Sequence, residues 1–258
     1  MIKIIDKDFT LFEHFKEFCK TDSFGTRIYS HFICYGYKYS FADFWVQITD
    51  NSDITCAFCK LDGDLVLSVK KEADFEEISA FLNFTDKLSV TFDSKFIEYI
   101  KLECDSVSQG DILMYSKAKK NCTHLSVTVP DIKEYHDLLL ACKSADFFVP
   151  EYLNFLSDVS RRVQKDICDI CGVFCDNKLV SCAMTVSFTD YSVILGAVAT
   201  HPQYRKRGFA GFVVSSLAEK YKYLDSVYIY TTIERNTRFY ESLGFSVCDR
   251  WIKYTYGG

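Results

Sequence analysis

Three prolines and eleven glycines are all that this chain of 258 residues contains. Because flexible linkers are rich in such residues, we expect no long structureless connection. No apolar run is long enough to cross a bilayer, so the sequence predicts no membrane partner. The first residues lack an apolar stretch followed by a small-residue cleavage site. We therefore expect no signal peptide and a cytoplasmic location.

The sequence also lacks an excess of positive charge, since its formal net charge is -5. Tight nonspecific binding of nucleic acid needs clustered cations, so nucleic acid is not predicted as a partner. Hydrophobic residues at 48% and charged residues at 25% are typical of a folded globular protein rather than a disordered one. The length is sufficient for two domains of ordinary size.

Several familiar catalytic motifs are missing from the sequence. It contains no Gly-x-Ser-x-Gly, no Walker A loop and no His-Glu-x-x-His, which argues against the common serine hydrolases, P-loop NTPases and zinc peptidases. The histidines are dispersed along the chain: His14, His31, His124, His136 and His201. His201 stands beside Pro202 and is interpreted as a surface turn residue.

Twelve cysteines raise the question of a metal site. Cys168 and Cys171 have the spacing of zinc ligands, and so do Cys56 and Cys59. However, a structural zinc site needs four converging ligands, and residues three apart in the strand-like run 54–59 point to opposite faces. We predict reduced, buried cysteines and no metal.

A polar stretch at residues 117–121 divides the chain into predicted domains at 1–118 and 123–258. The second half has the order β-α-α-β-β-β-α-β-α-β. The elements expected there are strands and helices at 124–129, 131–144, 151–164, 170–174, 179–188, 192–200, 209–222, 226–231, 236–243 and 245–256.

The first half also reads as an α/β domain. Its strand-turn-strand run at 56–66 is similar to the run at 172–180, and the elements expected after it lie at 74–83, 88–92, 94–103 and 111–117. These patterns give the hypothesis that the first half is a degenerate copy of the second. The alternative is a chance likeness between two hairpins with acidic turns.

The segment 198–211 has the pattern of an anion-binding site. A buried strand ends before Pro202, which cannot continue it. Cations follow, and then a helix with small residues in its first turn. The free amides at a helix N-terminus attract anions, and small residues let a phosphate approach the backbone. The pattern predicts a pyrophosphate site, and the alternative is a solvated basic turn.

Two segments resemble a known family. Arg205-x-x-Gly208-x-Ala210 resembles the Arg/Gln-x-x-Gly-x-Gly/Ala motif of the GCN5-related N-acetyltransferases (GNAT). Residues 236–245 resemble that family's segment ending in Tyr-Glu-x-Leu-Gly-Phe. The motifs occur in the family's order, and the resemblance covers about residues 123–258. It implies an α/β (α+β) fold with a mixed, mostly antiparallel sheet flanked by helices.

The resemblance implies direct transfer of an acetyl group from acetyl-CoA to a primary amine of an unidentified small molecule or protein. Tyr240 matches the tyrosine that protonates the departing CoA thiolate. By this resemblance, the end of the strand holds the pantetheine arm and polarises the thioester. The basic turn and the start of the helix bind the pyrophosphate, and one asparagine contacts CoA. These implied cofactor-binding residues are Val198, Ala199, Thr200, Arg205, Lys206, Arg207, Gly208, Phe209, Ala210, Gly211 and Asn236. The alternative for Tyr240 is ordinary aromatic packing.

The sequence departs from the family's pattern at two places. The asparagine that many relatives carry seven residues before the tyrosine is replaced by Ile233, and the strand 226–231 has no carboxylate to act as a base. Glu151 and Glu234 are the nearest candidates. Water, or an amine that arrives deprotonated, is the alternative.

Two rival functions and the role of the first half stay open. The rivals are a non-catalytic acyl-CoA-binding or regulatory protein and a nucleic-acid-binding protein that uses the basic turn. The first half lacks the Arg-x-x-Gly motif, so we expect it to bind no CoA and to wall off part of the acceptor site. Whether the chain forms a homodimer is left open.

Overall fold

The computed structural model describes residues 1–116, 126–144, 147–232 and 234–257. It divides into two compact units, Met1–Ile112 with Asp249–Gly258 and Leu113–Cys248. The domain boundary expected at 117–121, the first residues of the strand expected at 124–129, and Ile233 lie outside the described residues. The sequence-based boundary therefore stays a prediction.

The elements of the first unit begin with a short strand and two helices. In chain order they are β1 Ile2–Ile4, α1 Phe12–Cys19, α2 Ser23–Tyr35, β2 Ala42–Ile48, β3 Ile54–Leu61, β4 Asp64–Val69, α3 Phe75–Phe84, β5 Ser89–Asp93 and β6 Ser106–Tyr115. The last three residues of β6 belong to the second unit.

The second unit begins with two helices, and the antiparallel bridge between Thr128 and Gly172 marks the strand before them. In chain order its elements are α4 Ile132–Ala141, α5 Tyr152–Gln164, β7 Ile170–Cys175, β8 Lys178–Phe188, β9 Ser192–Thr200, α6 Phe209–Tyr221, β10 Ser226–Thr231, α7 Glu234–Ser242 and β11 Phe245–Thr255. From Asp249 onward β11 belongs to the first unit.

The sheet of the second unit is mixed and mostly antiparallel. Strands β7, β8 and β9 are antiparallel neighbours, and β10 lies beside β9 in the parallel direction. The parallel register joins residues 192–195 of β9 to residues 226–229 of β10. Residues 196–200 of β9 extend beyond this paired region. We call the space beside them, on the β10 side, the strand opening.

The first unit repeats this order of elements. Two helices precede the antiparallel strands β2, β3 and β4, and α3 then leads to β5, which pairs with β4 in the parallel direction. In the second unit, α4 and α5 precede β7, β8 and β9, and α6 leads to β10. The expected α/β class and the GNAT-like plan of both halves are confirmed.

The repeat has a different register from the one that the sequence suggested. The turn Asp62-Gly63 joins β3 to β4, and β4 is the last strand before α3. The turn Asp176-Asn177 joins β7 to β8, and a further strand, β9, lies between β8 and α6. The two hairpins are therefore not equivalent. Their likeness reflects turn chemistry, because all four residues have positive φ (47°, 88°, 50° and 60°), as two-residue type I′ turns require.

The prediction of a helix at 94–103 is wrong. The chain forms only a 3-10 turn at Ser94–Phe96, and the Ile100 amide then donates to the Phe96 carbonyl. Phe96 and Ile100 are buried, with 3% and 1% of their surface exposed. A spacing of four residues is compatible with a helix, but one turn is enough to bury both side chains.

Helices cover both faces of the sheet in the second unit. Val213 and Leu217 of α6 and Tyr240 of α7 pack with strand residues such as Val193 in one core cluster. On the other face, α4 and α5 pack against the sheet in a second cluster. None of the described helices is long and apolar enough to span a membrane.

Candidate active site

The end of β9 contains a bulge. The register with β8 shifts between Cys182 and Met184, and Ala197 lies opposite this shift with φ of +48°. A positive φ is uncommon for a residue with a Cβ and turns the local peptide out of the regular ladder. The bulge directly precedes the predicted pantetheine-binding residues Val198, Ala199 and Thr200.

Thr200 is held from three directions. Its carbonyl accepts hydrogen bonds from Arg205 Nε at 3.1 Å and from Cys142 Sγ at 3.3 Å. Its hydroxyl lies 2.8 Å from Ser181 Oγ. The strand end is therefore fixed before any ligand binds. Cys142 and Ser181 carried no motif in the sequence, since their partners are 58 and 19 positions away.

The basic turn leaves β9 through a 3-10 turn, Pro202–Tyr204, and then presents its cations to solvent. The His201 amide donates to the Val180 carbonyl at 2.9 Å, which anchors the start of the turn. The Arg207 guanidinium lies over the Tyr204 ring, 5.3 Å from its centroid. Arg205, Lys206 and Arg207 are all exposed.

The N-terminus of α6 is open. Gly208 is the N-cap residue with φ of +83° and ψ of −5°, and no side chain in the described part of the chain caps this helix. A Cβ built at Gly208 would meet no described atom within 4 Å. The space at Gly208 is therefore open, and it lies at the start of a helix without a side-chain cap, beside three exposed cations. This arrangement suits an anion with several oxygens.

Gly211 has a packing role as well. It is buried, and a Cβ at this position would lie 3.2 Å from Leu243 Cδ2 and 3.9 Å from Phe239 Cε2. The missing side chain thus lets α7 approach the first turn of α6. Phe209 and Ala210 are half-buried beside it.

Tyr240 lies in the core of the second unit, with 7% of its surface exposed. Its ring packs against Phe239 and Phe245 at centroid distances of 5.1 and 6.1 Å. Burial raises the pKa of Tyr240 to about 12, so the phenol is protonated at neutral pH. Asn236 is half-buried and lies one helical turn earlier on the same side of α7.

Tyr240 belongs to the same core cluster that Val198 and Phe209 pack against. The structure thus assembles residues from the strand end, the start of α6 and the middle of α7 in one part of the second unit. Of the candidate bases, Glu234 pairs with Arg238 at 2.5 Å on the exposed side of α7. Glu151 is the N-cap residue of α5.

The first unit has no equivalent anion site in its described residues. The helix in the place of α6 is α3, whose N-terminus is capped by the Asp74 carboxylate at 3.0 Å from the Glu77 amide. Glu76 and Glu77 add negative charge to the same turn. Three carboxylates at a helix start repel a phosphate. The 3-10 turn at 94–96 stands where the second unit has α7.

The cysteines that raised the zinc hypothesis are mostly buried. Cys56 and Cys59 have 0% and 1% of their surface exposed, and Cys168 and Cys171 have 7% and 8%. Burial raises the pKa of the Cys171 thiol to about 12, which disfavours the thiolate that binds metals. Among the described residues, no group of three or more His, Cys, Asp or Glu is placed to hold a metal ion.

The exposed cations of the basic turn provide a first test. Removing Lys206 and Arg207 together by alanine substitution is expected to weaken binding of acetyl-CoA by about tenfold at low salt and to reduce its salt dependence, because exposed charges are screened by ions. Isothermal titration at two salt concentrations measures both effects. A matched control replaces Arg250 and Lys253, two cations of the first unit. Equal losses in the two double variants would contradict a phosphate site at the basic turn.

Residues 172–253 match the family model of FR47-like proteins. No curated protein sequence matches the chain. Solved structures do match, including a GNAT-family acetyltransferase from Colwellia psychrerythraea with 13% identity, a TM-score of 0.62 and complete coverage of both chains. A protein from Drosophila has 11% identity and a TM-score of 0.70, with 98% of this chain and 99% of that one covered.

A tandem GNAT protein of the clavulanic acid biosynthesis pathway, solved without acetyl-CoA, also matches over nearly the whole chain. It has 11% identity and a TM-score of 0.62, with 99% of this chain and 98% of that one covered. Identities this low establish the fold, while the FR47-like match falls on the segment that contains both sequence motifs. Residues 172–253 are therefore similar in sequence to FR47-like proteins, and the chain shares the fold of the GNAT-family structures that it matches over nearly its whole length.

Proposed function

We propose that the second unit transfers an acetyl group from acetyl-CoA to a primary amine. The observation that carries this proposal is the open, uncapped and cationic N-terminus of α6 beside the strand opening. The pyrophosphate of CoA binds the amides of residues 206–211, and Arg205 and its neighbours add attraction. The pantetheine arm lies along Val198, Ala199 and Thr200, and Asn236 contacts CoA from α7.

The reaction proceeds by direct attack. The amine nitrogen attacks the thioester carbon, and the carbonyl oxygen becomes an oxyanion that a backbone amide at the end of β9 stabilises. The intermediate collapses with cleavage of the C–S bond. Tyr240 gives its proton to the departing thiolate, water removes the extra proton of the former amine, and the Tyr240 phenolate is reprotonated by solvent.

One observation favours a second candidate function, a non-catalytic acyl-CoA-binding protein. Residues 226–231 of β10 contain no carboxylate, so this strand supplies no base for the acceptor amine. In that case the donor site is intact, but no acceptor is turned over. Both candidate functions include binding of acetyl-CoA, but only the first includes transfer of the acetyl group to an amine.

Thermal unfolding with increasing acetyl-CoA, and with plain CoA in parallel, tests the donor site. A ligand at a hundred times its Kd is expected to stabilise the protein by about 2.7 kcal/mol. Transfer to a panel of small amines and peptide N-termini, followed by mass spectrometry of the acetylated product, tests the enzyme. Stabilisation without any product would support the binding protein, and no stabilisation at millimolar ligand would contradict both.

A further inference from the structure

Tyr135 makes a hydrogen bond that the two motifs do not account for. This residue of α4 is completely buried, and its hydroxyl donates to the carbonyl of Ala197 at 2.8 Å. Its ring stacks on Phe155 with centroids 6.0 Å apart. Burial raises the pKa of Tyr135 well above its usual range, so the hydroxyl stays protonated and remains a donor. The bond joins the fixed helix layer to the bulge of β9.

The position of the accepting carbonyl determines where the next amide points. In a trans peptide the carbonyl of one residue and the N–H of the next point in opposite directions. A regular strand could not turn one carbonyl toward the helix layer, but φ of +48° at Ala197 does so. The Val198 N–H is therefore directed away from Tyr135.

The ladder with β8 shows which side of the strand this amide occupies. Ala199 lies opposite Cys182, and the His201 amide donates to the Val180 carbonyl at 2.9 Å. Because amides along an antiparallel strand alternate between its two edges, those of residues 199 and 201 face β8. The Val198 amide then faces the other edge, the strand opening, where parallel pairing with β10 has already ended at Leu195.

We propose that Tyr135 is a positioning residue that holds the Ala197 carbonyl so that the Val198 amide donates to the thioester carbonyl of the bound donor. This inference rests on the proposed acetyl transfer. Tyr135 itself touches no substrate. It acts through the peptide plane between residues 197 and 198, which it keeps in one orientation before the donor arrives, as an oxyanion-stabilising donor must be.

Tyr135→Phe tests the proposal, since it removes the hydroxyl and keeps the ring. The carbonyl stretch of acetyl-CoA labelled with carbon-13 at the thioester is measured by infrared spectroscopy, free and bound. Wild type is expected to shift this band to lower frequency, and the variant to lose most of the shift. We also expect kcat to fall roughly 100-fold, at the low end for loss of an oxyanion donor, with the Kd of plain CoA unchanged.

A matched control is Tyr221→Phe, which removes another buried hydroxyl of the second unit, one that donates to Asp169 instead of to β9. This control is expected to keep the carbonyl shift and the wild-type kcat. If the role of Tyr135 were purely structural, Tyr135→Phe would lose thermal stability as Tyr221→Phe does, but the donor bound to it would keep the wild-type shift of its carbonyl band.

Ala197→Val decides the question independently if Tyr135→Phe does not fold. A β-branched residue resists positive φ, so the carbonyl leaves Tyr135 while the tyrosine stays in place. This variant is expected to lose the carbonyl shift too. If wild type shifts the band and both variants retain the shift, the role of Tyr135 is overturned and the transferase proposal stands. If wild type binds no acetyl-CoA, the positioning role of Tyr135 and the proposed acetyl transfer are both overturned.

Discussion

Tyr240→Phe is expected to lower kcat by at least about 100-fold and to leave the Kd of acetyl-CoA nearly unchanged. General acid catalysis contributes about 10²–10⁴-fold, and phenylalanine has no proton to give to the departing thiolate. The remaining ring preserves the contacts with Phe239 and Phe245. A loss in turnover without a loss in donor affinity is the pattern of an interaction made only in the transition state.

The surroundings of Tyr240 support this assignment. Burial raises its pKa to about 12, so the proton is in place throughout the neutral and mildly alkaline range, where the acceptor amine becomes deprotonated. Deprotonation of Tyr240 therefore causes little loss of activity in the neutral and mildly alkaline range. Any loss of activity in that range must come from another group or from unfolding.

Steady-state kinetics and calorimetric titration of acetyl-CoA measure the two quantities separately. Tyr115→Phe is a suitable control, because Tyr115 also packs in the core of the second unit and its hydroxyl bonds to Glu219 near the C-terminus of α6, opposite the anion site. It is expected to retain kcat. Full turnover in Tyr240→Phe would remove Tyr240 from the mechanism and favour its role as a packing residue.

The second half of the fold was predictable because its signals are local. The Asp131 N-cap of α4 is completed by Glu134 as a capping box, and α5 follows at Tyr152–Gln164 as expected. Gly244, with φ of +102°, lies just after α7, the position and conformation in which a glycine typically ends a helix. The start of α4 and the end of α7 are each marked by a residue whose side chain or conformation indicates the boundary by itself.

The first half gave weaker signals. Helices α1 and α2 and strand β2 went unassigned, since aromatic residues are scattered along all three and blur the difference between a period of 3.6 and a period of 2. The hairpin at 56–66 was found but matched to the wrong partner. Turn residues report the geometry of a turn and carry no information about the position of a strand within a sheet.

The same limit applies to the site. Arg205, Gly208 and Tyr240 stand in motifs and were found from the sequence. The groups that hold the strand end were not, because the Tyr135 bond to Ala197 spans 62 positions. The sequence likewise gave no sign of positive φ at Ala197, since alanine is not a turn residue. Long-range contacts and unexpected backbone conformations become visible only in the fold.

Gly208→Val is expected to weaken binding of acetyl-CoA and of plain CoA by at least about 100-fold. Gly208 has φ of +83°, a conformation that a β-branched residue strongly avoids. The added side chain meets no described atom within 4 Å, so crowding within the protein is not the cause. Instead, the backbone must rotate to relieve the strain, which turns the amides of Phe209 and Ala210 away from the pyrophosphate, and the side chain occupies the space through which the phosphate approaches.

Gly36→Val separates this effect from general strain. Gly36 is the C-cap of α2 in the first unit, with φ of +58° and ψ of −155°, and valine there therefore imposes a backbone penalty at least as large, far along the chain from the anion site. Both variants are expected to unfold at lower temperature, but only Gly208→Val should lose the stabilisation by ligand. Gly208→Ala should fall between wild type and valine, since alanine tolerates positive φ at a cost of about 1–2 kcal/mol. If Gly208→Val bound CoA as tightly as wild type, the amides at the start of α6 would not be the pyrophosphate site, and the donor would have to bind elsewhere on the second unit.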